Sequence, residues 1–153
     1  MPSRPNTAMA EVHKSLLVPY SAQRMFALVD GVEEYPQFLP WCSSTELIFR
    51  DACVTRAAIR ISYRGIRQGF STENTKSEPQ LMQIKLIEGP FRRLEGGWRF
   101  TDLGGAGCKV ELSLHYEFES RMLDKLVGPV FGYIANNLVD AFVKRAHHIY
   151  GRS

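Results

Sequence analysis

The sequence predicts an α+β domain in which an antiparallel sheet closes over one long C-terminal helix. Three observations carry that prediction. Apolar side chains alternate with polar ones at 55–63 and 110–118, glycine-marked turns between strands are too short for crossovers, and a helical apolar repeat runs through 122–150. A sheet with one apolar face needs a cover, and the C-terminal helix is the only large element available.

The elements follow in order. Residues 11–18 alternate loosely, with Val12, Leu16 and Val18 on one side, and read as a strand ended by Pro19. Ser21 is a helix N-cap, and Met25, Phe26, Leu28 and Val29 form an amphipathic helix stopped at Asp30-Gly31. A second short helix or turn at 32–40 is punctuated by Pro36 and Pro40. Thr55, Ala57, Ile59, Ile61 and Tyr63 then face one way, with Arg56, Arg60 and Arg64 opposite. After a turn at Gly65, Ile66, Gln68, Phe70 and Thr72 continue the pattern, followed by Met82, Ile84 and Leu86. Gly96-Gly97 before Trp98 and Phe100 reads as a bulge, and 104–107 as a turn. Val110, Leu112, Leu114, Tyr116 and Phe118 share one face of the last strand. About six strands are expected between the short helices and the long one. The helix carries Val127, Phe131, Ile134, Leu138, Phe142, Ala146 and Ile149 on its stripe, and Gly128-Pro129 is expected to kink it or reset its start.

Length and composition fit one domain over 9–151 behind a polar tail at 1–8. The chain has 153 residues, 44% of them hydrophobic and 23% charged, which excludes disordered, collagenous and coiled-coil classes. Three cysteines without a C-x-x-C pair argue against a disulfide framework and for a reducing cytoplasm. The first ten residues lack an apolar core, so no secretory leader is expected. The longest apolar run, 126–135, is too short to span a bilayer. The formal charge is only +3, but 50–99 holds ten basic side chains against five acidic ones. Such a bias permits contact with RNA or an anionic membrane without establishing either.

No catalytic signature is present. Gly105-x-Gly107 sits between strands and lacks the third glycine of a dinucleotide loop, and there is no P-loop, G-x-S-x-G or H-E-x-x-H. His147 and His148 point about 100° apart on a helix, so they read as helix-end histidines and not as a metal pair. Glu33-Glu34 reads as a solvated pair, and Cys42 as a buried structural thiol. No metal and no catalytic residue is assigned. Acid and base groups can still converge from distant positions, which leaves an enzyme reading open.

Two segments place large apolar side chains around turns. One is Tyr35-Pro36-Gln37-Phe38-Leu39-Pro40-Trp41-Cys42; the other runs from Gly89-Pro90-Phe91 through Arg92-Arg93-Leu94 to Gly97-Trp98-Arg99-Phe100. Both fit plain core packing, or the mouth of an apolar ligand cavity.

These segments, together with Val18-Pro19-Tyr20-Ser21-Ala22 and Ala141-Phe142-Val143-Lys144-Arg145-Ala146, resemble the START-like coenzyme Q-binding protein family over about 9–151. The resemblance implies a helix-grip fold, a curved antiparallel sheet around the long helix with an apolar cavity, and no catalytic residues. It implies binding of ubiquinone or another isoprenoid lipid in support of respiration, with no other cofactor. Family members also include toxins that bind the large ribosomal subunit and block its joining with the small one. Broader relatives include polyketide cyclases and dehydratases.

From these combined readings the expected ligand-binding residues are Phe38, Leu39 and Trp41 at the mouth, Phe70, Leu86, Phe91, Trp98 and Phe100 from the sheet, and Phe131 and Ile134 from the helix. Arg56, Arg60 and Arg64, four residues apart on one strand face, are the expected ribosome contact, unless Glu111, Glu117 and Glu119 neutralise them across strands. A cytoplasmic protein with transient contact at the inner-membrane surface, and none with DNA, is the expected setting.

Overall fold

The computed structural model describes residues 9–151, so the tail at 1–8 lies outside the described residues. Strand β1 (Ala10–Val18) leads to helix α1 (Ala22–Asp30), and a 3-10 turn at Val32–Glu34 leads to α2 (Tyr35–Phe38). Six strands follow: β2 (Cys42–Arg50), β3 (Val54–Tyr63), β4 (Ile66–Ser77), β5 (Leu81–Glu88), β6 (Phe91–Asp102) and β7 (Cys108–Phe118). The chain ends in α3 (Arg121–Tyr150). All strands join one antiparallel sheet in the order β1-β7-β6-β5-β4-β3-β2.

Local chemistry explains the boundaries. The Ser21 hydroxyl accepts from the Arg24 amide and caps α1, and Ser120 does the same for α3 through Leu123. The β3–β4 hairpin turns on two residues, Arg64 and Gly65, with φ of 50° and 82°. That is the left-handed pair whose twist matches flanking strands, and Gly65 takes it without strain.

Strand β7 shows why the sheet is one-sided: Val110, Leu112, Leu114, Tyr116 and Phe118 are all buried, and the residues between them are half-buried. The buried side of α3 (Val127, Phe131, Ile134, Ala135, Val139, Phe142 and Ala146) packs mainly over β1 and β7, touching β4 only lightly. The helix therefore lies towards one flank of a curved sheet, and a gap opens between it and β3–β5.

Several expectations need correction. Strand β2, for which the sequence offers no alternation, lies at a sheet edge with Leu47, Ile48 and Phe49 all exposed. Leu16 shares the parity of Val12 and Val18 but is exposed, on a strand at the opposite edge of the sheet. Gly96 and Gly97 form no bulge: β6 runs straight through them, paired to Leu114 and Ser113, and the irregularity falls at Phe91/Arg93 instead. The glycines serve close approach, since a Cβ at Gly96, where φ is 150°, would collide with the Ser113 carbonyl oxygen. Phe91, Leu94 and Trp98 therefore lie along a strand and not around a turn. The helix continues through Pro129 as one element. By length and composition α3 could cross a membrane, but its apolar side is buried against the sheet. Ile149 is exposed, and Tyr20 packs instead on His147 and Tyr150 of the last helical turn.

A candidate ligand cavity and a basic outer face

The gap between α3 and the sheet holds a cavity of about 90 Å³, measured as space open to the centre of a water molecule. One water needs roughly 10–15 Å³ of that measure, so the space suits a ring-sized group. Its wall takes Ala57, Ile59 and Ile61 from β3, Phe70, Thr72 and Asn74 from β4, and Met82 and Ile84 from β5. Leu94 and Trp98 of β6 and Leu114 of β7 continue it, α3 contributes Phe131, Ile134, Ala135, Leu138 and Phe142, and Val29, Val32, Tyr35 and Trp41 close one end.

Of the ten residues expected to bind ligand, Trp41, Phe70, Trp98, Phe131 and Ile134 line this cavity. The other five pack behind or beside it. Leu39 is fully buried, and Phe38 lies edge-on to Tyr35 and Phe142 with the Arg145 guanidinium 5.0 Å above its ring. Phe91 sits in an aromatic cluster with Phe118, Tyr116 and Phe131, at ring separations of 4.8, 6.2 and 4.9 Å. Phe100 stacks on Trp98 and meets Phe26, while Leu86 is half-buried outside the wall. The inward parity of β3, β4 and β5 was the signal for the residues missed: Thr72 and Asn74 stand on that face, buried, where an apolar side chain would be ordinary.

The wall is chemically quiet. Among the described residues no carboxylate, histidine, lysine or cysteine lines it. Tyr35 donates its hydroxyl to the Val29 carbonyl, and burial pushes its pKa upward. Burial likewise pushes the Cys42 thiol up to about 11, which keeps it protonated at neutral pH. Glu33 is no general acid: a bidentate contact from Arg50, at 2.8 and 2.7 Å, lowers its pKa to about 2. Beyond the end of the wall, Asp30 accepts from the Thr55 hydroxyl at 2.7 Å and from the nearly buried Lys76 ammonium at 3.1 Å.

At the end of β3, Tyr63 stacks on Tyr133 of α3 with ring centroids 5.8 Å apart, next to wall residues Ile61 and Ile134. The Arg64 guanidinium lies over both rings, at 5.1 and 5.9 Å. Arg64 is thus removed from the expected arginine row, because the strand ends at Tyr63 and the turn redirects it towards the helix.

The rest of the outer sheet face is mixed in charge. Arg56 is paired with Glu73 at 2.8 Å, Arg92 lies 3.6 Å from Glu117, and Arg93 lies 3.4 Å from Glu95. Glu111 faces His13 and Lys109 instead of an arginine. Among the described residues no carboxylate stands within ion-pair distance of Arg60 or Arg67, which share a shallow groove with Ser43, Ser62 and Gln68. Of the carboxylates expected to neutralise the arginines, Glu117 stands beside Arg92.

Comparison with known proteins places this geometry. A family model described as polyketide cyclase / dehydrase and lipid transport matches residues 18–143. The chain is 41% identical to the Ribosome association toxin RatA of Vibrio cholerae, covering 94% of this chain and 99% of that protein. The RatA of Escherichia coli is 38% identical, over 93% and 90%. A Coenzyme Q-binding protein COQ10 homolog B of Xenopus laevis is 27% identical over 93% of this chain and 60% of that protein. Among solved structures, the protein CC1736 of Caulobacter crescentus is 29% identical with a TM-score of 0.68, covering 95% and 99%. The Zhui aromatase/cyclase of a Streptomyces species, 14% identical with a TM-score of 0.75 over 91% and 94%, shares the fold alone. The sheet order and the gripped C-terminal helix give a START-like fold, and the matched family model leads to one assignment: this chain belongs to the polyketide cyclase / dehydrase and lipid transport family.

Proposed function

We propose that the chain is a non-catalytic binding protein whose cavity takes an isoprenoid quinone or a lipid of that class. The observation that carries this reading is the cavity wall, mainly apolar and free of any acid–base pair among the described residues. A cyclase or dehydratase needs converging proton donors and acceptors at the substrate, and the groups that could serve lie outside this wall. The 27% identity to a coenzyme Q-binding protein agrees with a quinone. The cavity accommodates a head group, and each CH₂ equivalent of a tail buried beyond it adds ~0.8 kcal/mol. Organic-solvent extraction of protein purified from a respiring host, followed by mass spectrometry, should release an isoprenoid quinone. Repeated recovery of protein carrying no quinone and no other lipid would overturn the reading.

A second role is supported by the relatives, since identity to the RatA proteins exceeds that to the coenzyme Q-binding protein. Its surface is the outer sheet face, where Arg60 and Arg67 have no carboxylate within ion-pair distance among the described residues and can meet phosphates of the large ribosomal subunit. Binding should fall steeply with salt and weaken in an Arg60→Glu, Arg67→Glu variant. Co-sedimentation with large subunits that is absent at low salt, or unchanged in the double variant, would remove this face from consideration.

A further inference from the structure

One polar atom in the cavity wall has no bonding partner. Asn74 of β4 is only 7% exposed and lines the cavity, and its side-chain Oδ1 accepts no hydrogen bond. Buried acceptors are nearly always satisfied, so an orphan on a residue that lines a cavity points to a group that arrives from outside. The neighbouring donors are already committed. Thr55, the register partner of Asn74 on β3, gives its hydroxyl to Asp30, and Lys76, two residues further along β4, gives its ammonium to the same carboxylate. A complete polar network thus stands beside Asn74 and leaves it out. Thr72, two residues earlier on the same face and 5% exposed, adds a hydroxyl between its register partners Ala57 and Leu86.

We propose that Asn74 is the specificity-determining contact of this cavity and takes a hydrogen bond donated by the ligand. The ligand is then an apolar molecule with a hydroxyl at its buried end; within the quinone class it is the reduced hydroquinone. A hydroquinone O–H donates to the amide oxygen, whereas a quinone carbonyl, itself an acceptor, sets two negative ends against each other. A few placed polar groups in an apolar pocket are what fix ligand orientation. The inference rests on the reading of the cavity as a ligand site and adds the redox state that it selects.

The test titrates delipidated full-length protein, under argon, with a monoprenyl hydroquinone, its dimethyl ether and the corresponding quinone. The hydroquinone should bind about tenfold more tightly than either, a factor that one buried hydrogen bond readily supplies. Asn74→Leu should abolish the difference by weakening the hydroquinone alone. The three native titrations decide the matter by themselves if that variant does not fold. Equal binding of all three ligands overturns the role of Asn74 and leaves the cavity reading intact. A quinone that binds more tightly than its hydroquinone also overturns it, because the amide would then be donating. If none of the three binds, the cavity reading fails and this inference with it.

Discussion

Ala135→Leu tests whether the space between helix and sheet is a true void. Ala135 is 1% exposed on α3 and contributes to the cavity wall, so three added carbons would enter the gap. Their burial is worth ~2.4 kcal/mol at ~0.8 per carbon. Ordering the leucine costs about 0.5–1 kcal/mol, and its helix propensity falls roughly 0.2 kcal/mol short of alanine. The net expectation is a gain of about 1.2 to 1.7 kcal/mol in delipidated protein. Were the region already packed, the same change would cost roughly 1–3 kcal/mol through displaced neighbours, so the two cases differ in sign. Urea denaturation at matched m-values reads the difference. The same variant should also carry several-fold less extractable lipid, because the leucine occupies the ligand's place. A loss of 1 kcal/mol or more, or undiminished lipid content, would refute the cavity as described.

Three further substitutions probe the frame around it. Phe142→Ala removes a fully buried ring that meets Tyr35, Phe38 and Trp98 at 5.2–5.3 Å, and should cost about 3–5 kcal/mol in chemical denaturation; under ~1.5 would mean that α3 is not anchored there. Gly96→Ala should lower stability by about 2 kcal/mol or more, or prevent folding, because its Cβ collides with the β7 backbone; an unchanged melting temperature would contradict the β6–β7 register. Glu33→Gln should cost only about 1 kcal/mol at pH 7, since the side chain is 49% exposed and its ion pair with Arg50 is screened. The Glu33 pKa is depressed in the folded state, so its stabilisation is present above the ordinary carboxylate pKa and fades as pH falls from 4.5 towards 2. Native and variant urea midpoints should therefore differ at pH 7 and converge near pH 2, and a constant gap would refute the assignment.

The parts of the fold legible in the sequence are those where one periodicity rules. β7 reads correctly because every second residue is buried, and α1 because Ser21 and Gly31 mark its ends. Strand β2 was illegible because edge position, and not a core face, decides which of its residues are exposed. The cavity was half legible for a related reason. Trp41, Phe70, Trp98, Phe131 and Ile134 drew notice as large aromatic or helix-stripe residues, but hollow space depends on where α3 lies across the sheet. That offset follows from the curvature of seven strands, which no local pattern encodes. Small residues such as Ala57 and Ala135 shape the void, yet in sequence they resemble any buried alanine. Phe91 and Phe100 carry equal apolar weight and were spent on packing, against Phe118 and Phe131 in one case and Phe26 in the other.

The two proposed surfaces are opposite faces of the same strands, and the two-residue strand period keeps them apart. Ala57, Ile59 and Ile61 of β3 line the cavity, while Arg56 and Arg60, of the opposite parity, face outward. A substitution at Arg60 leaves every wall residue in place, and one at Asn74 leaves the outer arginines untouched. Both faces nevertheless hang on one register, set by the turn at Arg64-Gly65, because a slip by a single residue would exchange them. Arg64 is held over the Tyr63 and Tyr133 rings, which ties that turn to the helix on the far side of the cavity. Gly65→Val, with a β-branched side chain at φ 82°, should consequently impair lipid loading and subunit co-sedimentation together, where the Arg60/Arg67 and Asn74 variants each impair one. Loss of one activity alone in the turn variant would show that the register is set elsewhere.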